Sequence, residues 1–156
     1  MLWGNVTTIN HHPRRKAREA VLQALYAWEI SEESPKIIFQ RLMDSFFSER
    51  NDYQYAKDLF FCVVKYQDWA DDLIRNHLQN WKFERVASID RILLRMGASE
   101  IFYMDDIPPK VSISEMVEIA KVFSTEESSG FVNGILDSVF KEFQNEKITN
   151  TKDVTG

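Results

Sequence analysis

Residues 14–29 read RRKAREAVLQALYAWE, and this stretch has the spacing of an amphipathic helix. Its apolar residues recur three or four positions apart, at Ala17, Val21, Ala24, Leu25 and Trp28. Because an α-helix turns once every ~3.6 residues, this spacing places them on one face. The stretch therefore predicts a helix that buries this face in the core of a helical protein.

A dense group of cations stands at the start of the same helix. Four fall within five positions, namely Arg14, Arg15, Lys16 and Arg18, although the whole chain has a net charge of −5. A helix N-terminus carries partial positive charge, so each cation there costs a few tenths up to ~1 kcal/mol. Charge alone leaves two interpretations open: a solvated helix face, with Glu19 offsetting part of the charge, or a surface that contacts phosphates.

The composition is that of a globular protein in a reducing compartment. The chain has 156 residues, of which 44% are apolar, so we expect a single domain with a sizeable core. Cys62 is the only cysteine, which excludes an internal disulfide and favours a buried thiol. No apolar run approaches the ~18 residues of a membrane span, so we expect a cytoplasmic protein that does not enter the membrane.

Helical spacing continues along the chain. Ser34 before Pro35 predicts a helix start, a long segment beginning near Tyr53 is expected to bend near Gln67, and a proline pair at 108–109 stops a later helix. No segment alternates like a strand. The sequence predicts an all-α fold of six or seven helices, with a flexible leader over residues 1–13, one domain over residues 14–143 and a polar, disordered tail over residues 144–156.

Two further patterns lie inside the helical segments. Ser112 with Glu115, and Ser124 with Glu127, match the capping box that starts a helix. Gly97 and Gly134 lie inside helical patterns, where each glycine costs ~1 kcal/mol of stability relative to alanine. Such glycines are expected where two helix backbones approach closely.

Motifs for catalysis are missing from the sequence. It has no glycine-rich phosphate loop, no nucleophile elbow and no Cys/His set with zinc spacing, so we expect no enzyme, no cofactor and no metal site. His11, His12 and His77 are expected to be solvated or hydrogen-bonded. The cation cluster, followed by Tyr26 as a candidate stacking aromatic, instead favours RNA binding.

Four blocks of the sequence together resemble the NusB family of bacterial transcription antitermination factors. They are RRKAREAVLQALYAWE at 14–29, DRILLRMGASEI at 90–101, IPPKVSISEMVEIAKVFS at 107–124 and GFVNGILD at 130–137. The blocks occur in the family's order and spacing, and the resemblance covers roughly residues 14–141. It implies two small helical bundles packed at an angle. It also implies binding of boxA RNA from ribosomal RNA operons, as a heterodimer with NusE, on the elongating RNA polymerase.

The resemblance assigns roles to single positions. The expected RNA contacts are Arg14, Arg15, Lys16, Arg18, Tyr26, Glu127 and Phe131, and the position expected to face NusE is Asp90. Two of these have plain structural explanations as well: Phe131 as core, and Asp90 as a carboxylate that stabilises a helix start. Gly130 stands where some relatives carry a basic residue, and Ser114 replaces a common asparagine.

Further expectations concern the whole protein. If all four cations reach phosphates of a single strand, log K should fall with log salt with a slope near −3, and neutralising them should leave the fold intact or slightly more stable. The alternative function is a helical protein–protein adaptor that does not bind RNA. Some family members pair with themselves, so the sequence leaves a homodimer open.

Overall fold

The computed structural model describes residues 14–46, 52–79 and 82–155, with side chains described up to residue 150. These residues form helices and turns and contain no strand, which confirms the all-α prediction. The described part of the chain contains seven α-helices and one short 3-10 turn at Phe83–Arg85. The helices are α1 (Arg15–Ile30), α2 (Pro35–Phe46), α3 (Tyr53–Lys65), α4 (Gln67–Asn76), α5 (Ser88–Tyr103), α6 (Pro109–Phe123) and α7 (Glu126–Thr155).

The helices form two groups that share one hydrophobic core. Helices α1, α2 and α3 pack on one another, while α5, α6 and α7 form a second group to which α4 is added. Helix α5 also packs against α1 and α3, and α6 touches α1, so the two bundles meet along α1 and α5. The expected pair of packed bundles is confirmed.

The predicted helix boundaries at the first half of the chain are confirmed. The Ser34 hydroxyl accepts a hydrogen bond from the Ile37 amide at 3.4 Å, as an N-cap does. The long segment from Tyr53 breaks at Tyr66, between α3 and α4, next to the expected bend at Gln67. Proline supplies the first residue of α2 and of α6, where its missing N–H is not needed.

Both capping boxes were misassigned. Helix α6 begins at Pro109, so Ser112 lies inside it, and its hydroxyl donates to Glu100 at 2.8 Å instead of capping the helix. At the start of α7 the cap is Thr125 rather than Ser124, because the Ser128 amide donates to the Thr125 hydroxyl at 2.9 Å. A serine and a glutamate three positions apart also share one face inside a helix. The sequence pattern therefore cannot distinguish a capping box from a pair of residues within a helix.

Gly97 and Gly134, the two glycines expected at close helix contacts, differ in their surroundings. A Cβ at Gly97 would lie 2.7 Å from Leu136 Cδ1, so α5 and α7 approach closely there, as expected. A Cβ at Gly134 would meet no atom within 4 Å, so the expected close approach is wrong for this glycine. Its surroundings therefore do not compensate for its low helix propensity.

We expect Gly134→Ala to raise the free energy of unfolding by about 1 kcal/mol, because alanine fits the open space and favours the helix. Thermal or urea denaturation measures the change. Gly97→Ala is the matched control and should give no such gain, because its methyl group collides with the buried Leu136. Equal gains from both substitutions would contradict this explanation.

The polar tail is helical where it was expected to be disordered. Helix α7 runs over 30 residues to Thr155, well beyond residue 143. Adding a residue to an existing helix is far easier than starting one, so a helix anchored in the core extends into polar sequence. Lys147 lies 4.8 Å from the Phe143 ring and supports this extension.

The expected leader, residues 1–13, lies outside the described residues. No described helix combines the length and apolarity needed to span a bilayer.

Candidate nucleic-acid and partner interface

Arg18 is buried in a polar network that joins four helices. It is 0% exposed, and its Nε and Nη2 atoms donate to the two carboxylate oxygens of Glu100 at 2.9 and 3.0 Å. The hydroxyls of Tyr55 and Ser112 also donate to Glu100. The network connects α1, α3, α5 and α6, and therefore ties the first bundle to the second.

The network keeps Arg18 charged and Tyr55 protonated. Burial alone would lower the pKa of Arg18, but the hydrogen bond and charge of Glu100 outweigh burial and raise it, so the guanidinium stays charged. Burial, followed by the charge of Glu100, raises the pKa of Tyr55. Its hydroxyl therefore stays protonated and keeps donating.

Two other cations of the cluster also face carboxylates of the second bundle. Arg15 Nε lies 2.7 Å from Glu115 Oε2, and the two side chains are only 13% and 5% exposed. Arg14 lies 3.7 Å from Asp106, with its guanidinium 4.5 Å from the centre of the Tyr55 ring. The Arg14 side chain is 34% exposed.

These contacts correct the interpretation of the cation cluster. Arg18 as an RNA contact is wrong, because a side chain with no exposed surface cannot reach a phosphate. Arg15 is mostly buried in its ion pair, so Arg14 and Lys16 are the cations of the cluster with substantial surface. At Arg18 and Arg15, carboxylates from α5 and α6, rather than RNA, offset the unfavourable interaction of the cation with the α1 dipole.

A pocket of about 310 Å³ brings together three predicted site residues that are distant in sequence. It lies where α5 and α7 begin, beside the 3-10 turn. Its lining consists of Arg85, Val86, Ala87, Asp90, Thr125, Glu127, Ser128 and Phe131. Arg85 is exposed and places a cation in this pocket, although no sequence motif identifies it as a site residue.

Asp90 is the unusual group in the pocket. It is 5% exposed and lies in the first turn of α5, where the helix dipole favours a carboxylate. Its Oδ1 atom is buried and accepts no hydrogen bond from any described residue. Buried polar atoms are nearly always paired, so an incompletely satisfied carboxylate on a residue that lines a pocket marks Asp90 as a candidate contact for a ligand or partner.

The aromatic and acidic residues of the pocket have mixed environments. Phe131 is half-buried and packs against the core while lining the pocket, so its structural and binding roles are compatible. Glu127 is exposed in the first turn of α7. Tyr26 is 37% exposed on α1 and is not part of the pocket lining.

The described residues offer no group of three or more ligands that could hold a metal ion. His11 and His12 lie outside these residues. His77 lies 2.6 Å from the Ser138 hydroxyl and 3.2 Å from Glu142, so it links the end of α4 to α7.

Curated relatives and a family model match nearly the whole described chain. The sequence model of the NusB family matches residues 15–141. The transcription antitermination protein NusB of Bacillus pumilus (strain SAFR-032) is 38% identical over 126 residues, covering 81% of this chain and 93% of that protein. The protein of the same name from Thermodesulfovibrio yellowstonii is 41% identical over 139 residues, covering 83% and 92%.

Solved structures give the same result for the fold. A structure of T. maritima NusB superposes with a TM-score of 0.77 at 35% identity, covering 85% of this chain and 94% of that chain. A chain in the crystal structure of the antitermination factors NusB and NusE in complex with dsRNA superposes with a TM-score of 0.76 at 27% identity, covering 83% and 96%. The chain belongs to the NusB family.

Proposed function

We propose that this protein is an RNA-binding transcription antitermination factor that binds boxA RNA together with NusE and acts on the elongating RNA polymerase without catalysis. The observation that carries the proposal is the convergence of Asp90, Glu127 and Phe131 in one pocket. The relatives bear the name of antitermination proteins, and a structural neighbour comes from a complex of NusB, NusE and RNA. The names of the relatives and the composition of that complex both support a role in antitermination with RNA and NusE.

The pocket is suited to a protein partner that offers a basic side chain. The Asp90 carboxylate, which lines the pocket, would accept its hydrogen bond in a largely buried setting, where charged hydrogen bonds are strong. Phe131 supplies apolar contact area beside it, and Arg85 is available to an acidic group or to a phosphate. We assign this pocket to NusE, with RNA along its edge.

RNA binding would use fewer cations than the sequence indicated. Arg18 is buried and Arg15 is mostly buried in its ion pair with Glu115. Lys16, which is exposed, and Arg14, which keeps part of its surface beside Asp106, are the members of the cluster placed to reach phosphates. Each phosphate contact on a single strand contributes ~0.7 to the salt dependence. We therefore expect these two residues to contribute a slope of about −1.4, in place of the value near −3 for four cations.

Titration of labelled boxA RNA with the full chain, alone and with NusE, tests the proposal. Lys16→Gln should weaken RNA binding and reduce the salt slope by ~0.7, because one phosphate contact is lost. Lys36→Gln is the matched control: Lys36 is exposed and is the second residue of α2, as Lys16 is of α1. It should leave RNA binding unchanged.

The same titration separates the two candidate functions. Cooperative binding of boxA RNA and NusE supports the antitermination factor. Binding of NusE with no RNA affinity at low salt would instead support the adaptor without RNA binding. Light scattering on the same samples reports whether the free chain is a homodimer, which would compete for these surfaces.

A further inference from the structure

Five aromatic side chains form a surface cluster where α4, α5 and α7 meet. They are Tyr66, Trp69, Phe102, Tyr103 and Phe143. At its outer part the rings of Tyr66 and Tyr103 stack in parallel, with centroids 4.0 Å apart and an interplanar angle of 5°. Trp69 packs its ring at 75° to Tyr103, with centroids 4.9 Å apart, and holds it in place.

Tyr103 is more exposed than a purely structural aromatic needs to be. It is the last residue of α5, and 42% of its surface is open to solvent. Phe102, the residue before it, is half-buried and packs against Trp69 and Phe143. The helix end is thus already anchored by Phe102, and the stacked Tyr103 ring extends the cluster into solvent.

Cations flank the cluster on two sides. The exposed Lys65 places Nζ 5.1 Å from the centre of the Tyr66 ring, and Lys147 lies 4.8 Å from that of Phe143. A flat aromatic surface with cations at its border fits a single-stranded nucleic acid, whose bases stack and whose phosphates need positive charge.

The loop after Tyr103 reaches the start of α1. Asp106, three residues beyond Tyr103, lies 3.7 Å from Arg14. Asp105, exposed between them, disfavours a phosphate directly beside Tyr103 but does not disfavour a neutral base. The charges therefore favour a neutral base over Tyr103 and a phosphate beside Lys65.

We propose that the stacked pair of Tyr66 and Tyr103 is a platform on which a base of single-stranded RNA stacks, with Lys65 contacting the adjoining phosphate. This inference rests on the proposed RNA-binding function and extends the RNA path from Arg14 and Lys16 to the end of α5. Stacking tolerates any base, so the platform adds affinity without reading sequence.

RNA affinity of Tyr103 variants tests the platform. Tyr103→Leu removes the aromatic face but keeps an apolar side chain, and should weaken binding of a single-stranded boxA oligonucleotide by about 5-fold to 100-fold. The slope of log K against log salt should be the same for Tyr103→Leu as for the wild type, because no charge is lost. Lys65→Gln should lower that slope by ~0.7. Tyr103→Phe, which keeps the ring, should bind like the wild type.

Controls separate this inference from the function on which it rests. Phe46→Ala removes an exposed aromatic from α2 and should leave RNA affinity unchanged; far-UV circular dichroism verifies that every variant is folded. If the wild type binds RNA and Tyr103→Leu binds it equally well, the platform is overturned and the proposed function stands. If the wild type binds no boxA RNA, with or without NusE, the platform and the proposed function are both overturned. If the wild type is a dimer and Tyr103→Leu dissociates it without changing RNA affinity, the cluster contacts a second copy of this chain and the platform is overturned.

Discussion

Arg18→Met is expected to lower the free energy of unfolding by about 3–5 kcal/mol, because it leaves the Glu100 carboxylate buried without its cation. Both side chains are 0% exposed, so neither water nor salt can replace the lost partner. Met fills most of the volume of the removed side chain, so the loss reports the missing charge rather than a cavity. Equilibrium denaturation in urea measures the change.

A second substitution identifies the source of this loss. Arg18→Met combined with Glu100→Gln should recover much of the stability, because the unpaired charge is gone. Tyr55 and Ser112 donate to different oxygens of Glu100, so the glutamine amide accepts from one hydroxyl and donates an N–H to the other. Lys16→Met, at an exposed position two residues earlier, should change stability by no more than about 0.5 kcal/mol. If Arg18→Met costs no more than Lys16→Met, the network is not what joins the two bundles.

The arginine network also marks where the sequence analysis reached its limit. Helical spacing is a local property, so the helices, the Ser34 cap and the break between α3 and α4 were predictable. The partner of Arg18 lies 82 residues away, and no local pattern connects them. One signal was present: Arg18 lies three and four positions before Val21 and Leu22, on the buried face of α1. The charge of Arg18 favours a surface position, whereas its spacing favours a buried one.

The candidate site was predictable in part for a different reason. Asp90, Glu127 and Phe131 were named from the order of family motifs, and the pocket brings them together. Arg85 stands in a 3-10 turn outside those motifs, so only the structure places it in the pocket. No local pattern predicts the aromatic cluster, because Tyr66 at the break between α3 and α4 and Tyr103 at the end of α5 are distant in sequence and stack only in the folded chain.

Asp90→Asn is expected to weaken the complex with NusE by 2–5 kcal/mol, or ~30-fold and more in Kd. Asparagine has nearly the same shape but lacks the charge, and the proposed basic group of NusE would then be buried without a counter-charge. The isolated variant should stay within about 1 kcal/mol of the wild type, because the loss of a favourable charge at the start of α5 opposes the relief of an unpartnered buried anion. Isothermal titration calorimetry with NusE measures the affinity.

The matched control is Asp68→Asn, which removes a carboxylate from the first turn of α4. Asp68 is exposed and outside the pocket lining, so its substitution alters the same helix-dipole interaction without touching the proposed interface. A salt series strengthens the distinction: a buried charge pair resists screening, so Asp90→Asn should weaken NusE binding by a similar factor at low and high salt. If Asp90→Asn and Asp68→Asn bind NusE equally well, Asp90 has only a structural role at the start of α5, and the pocket must be assigned to another ligand.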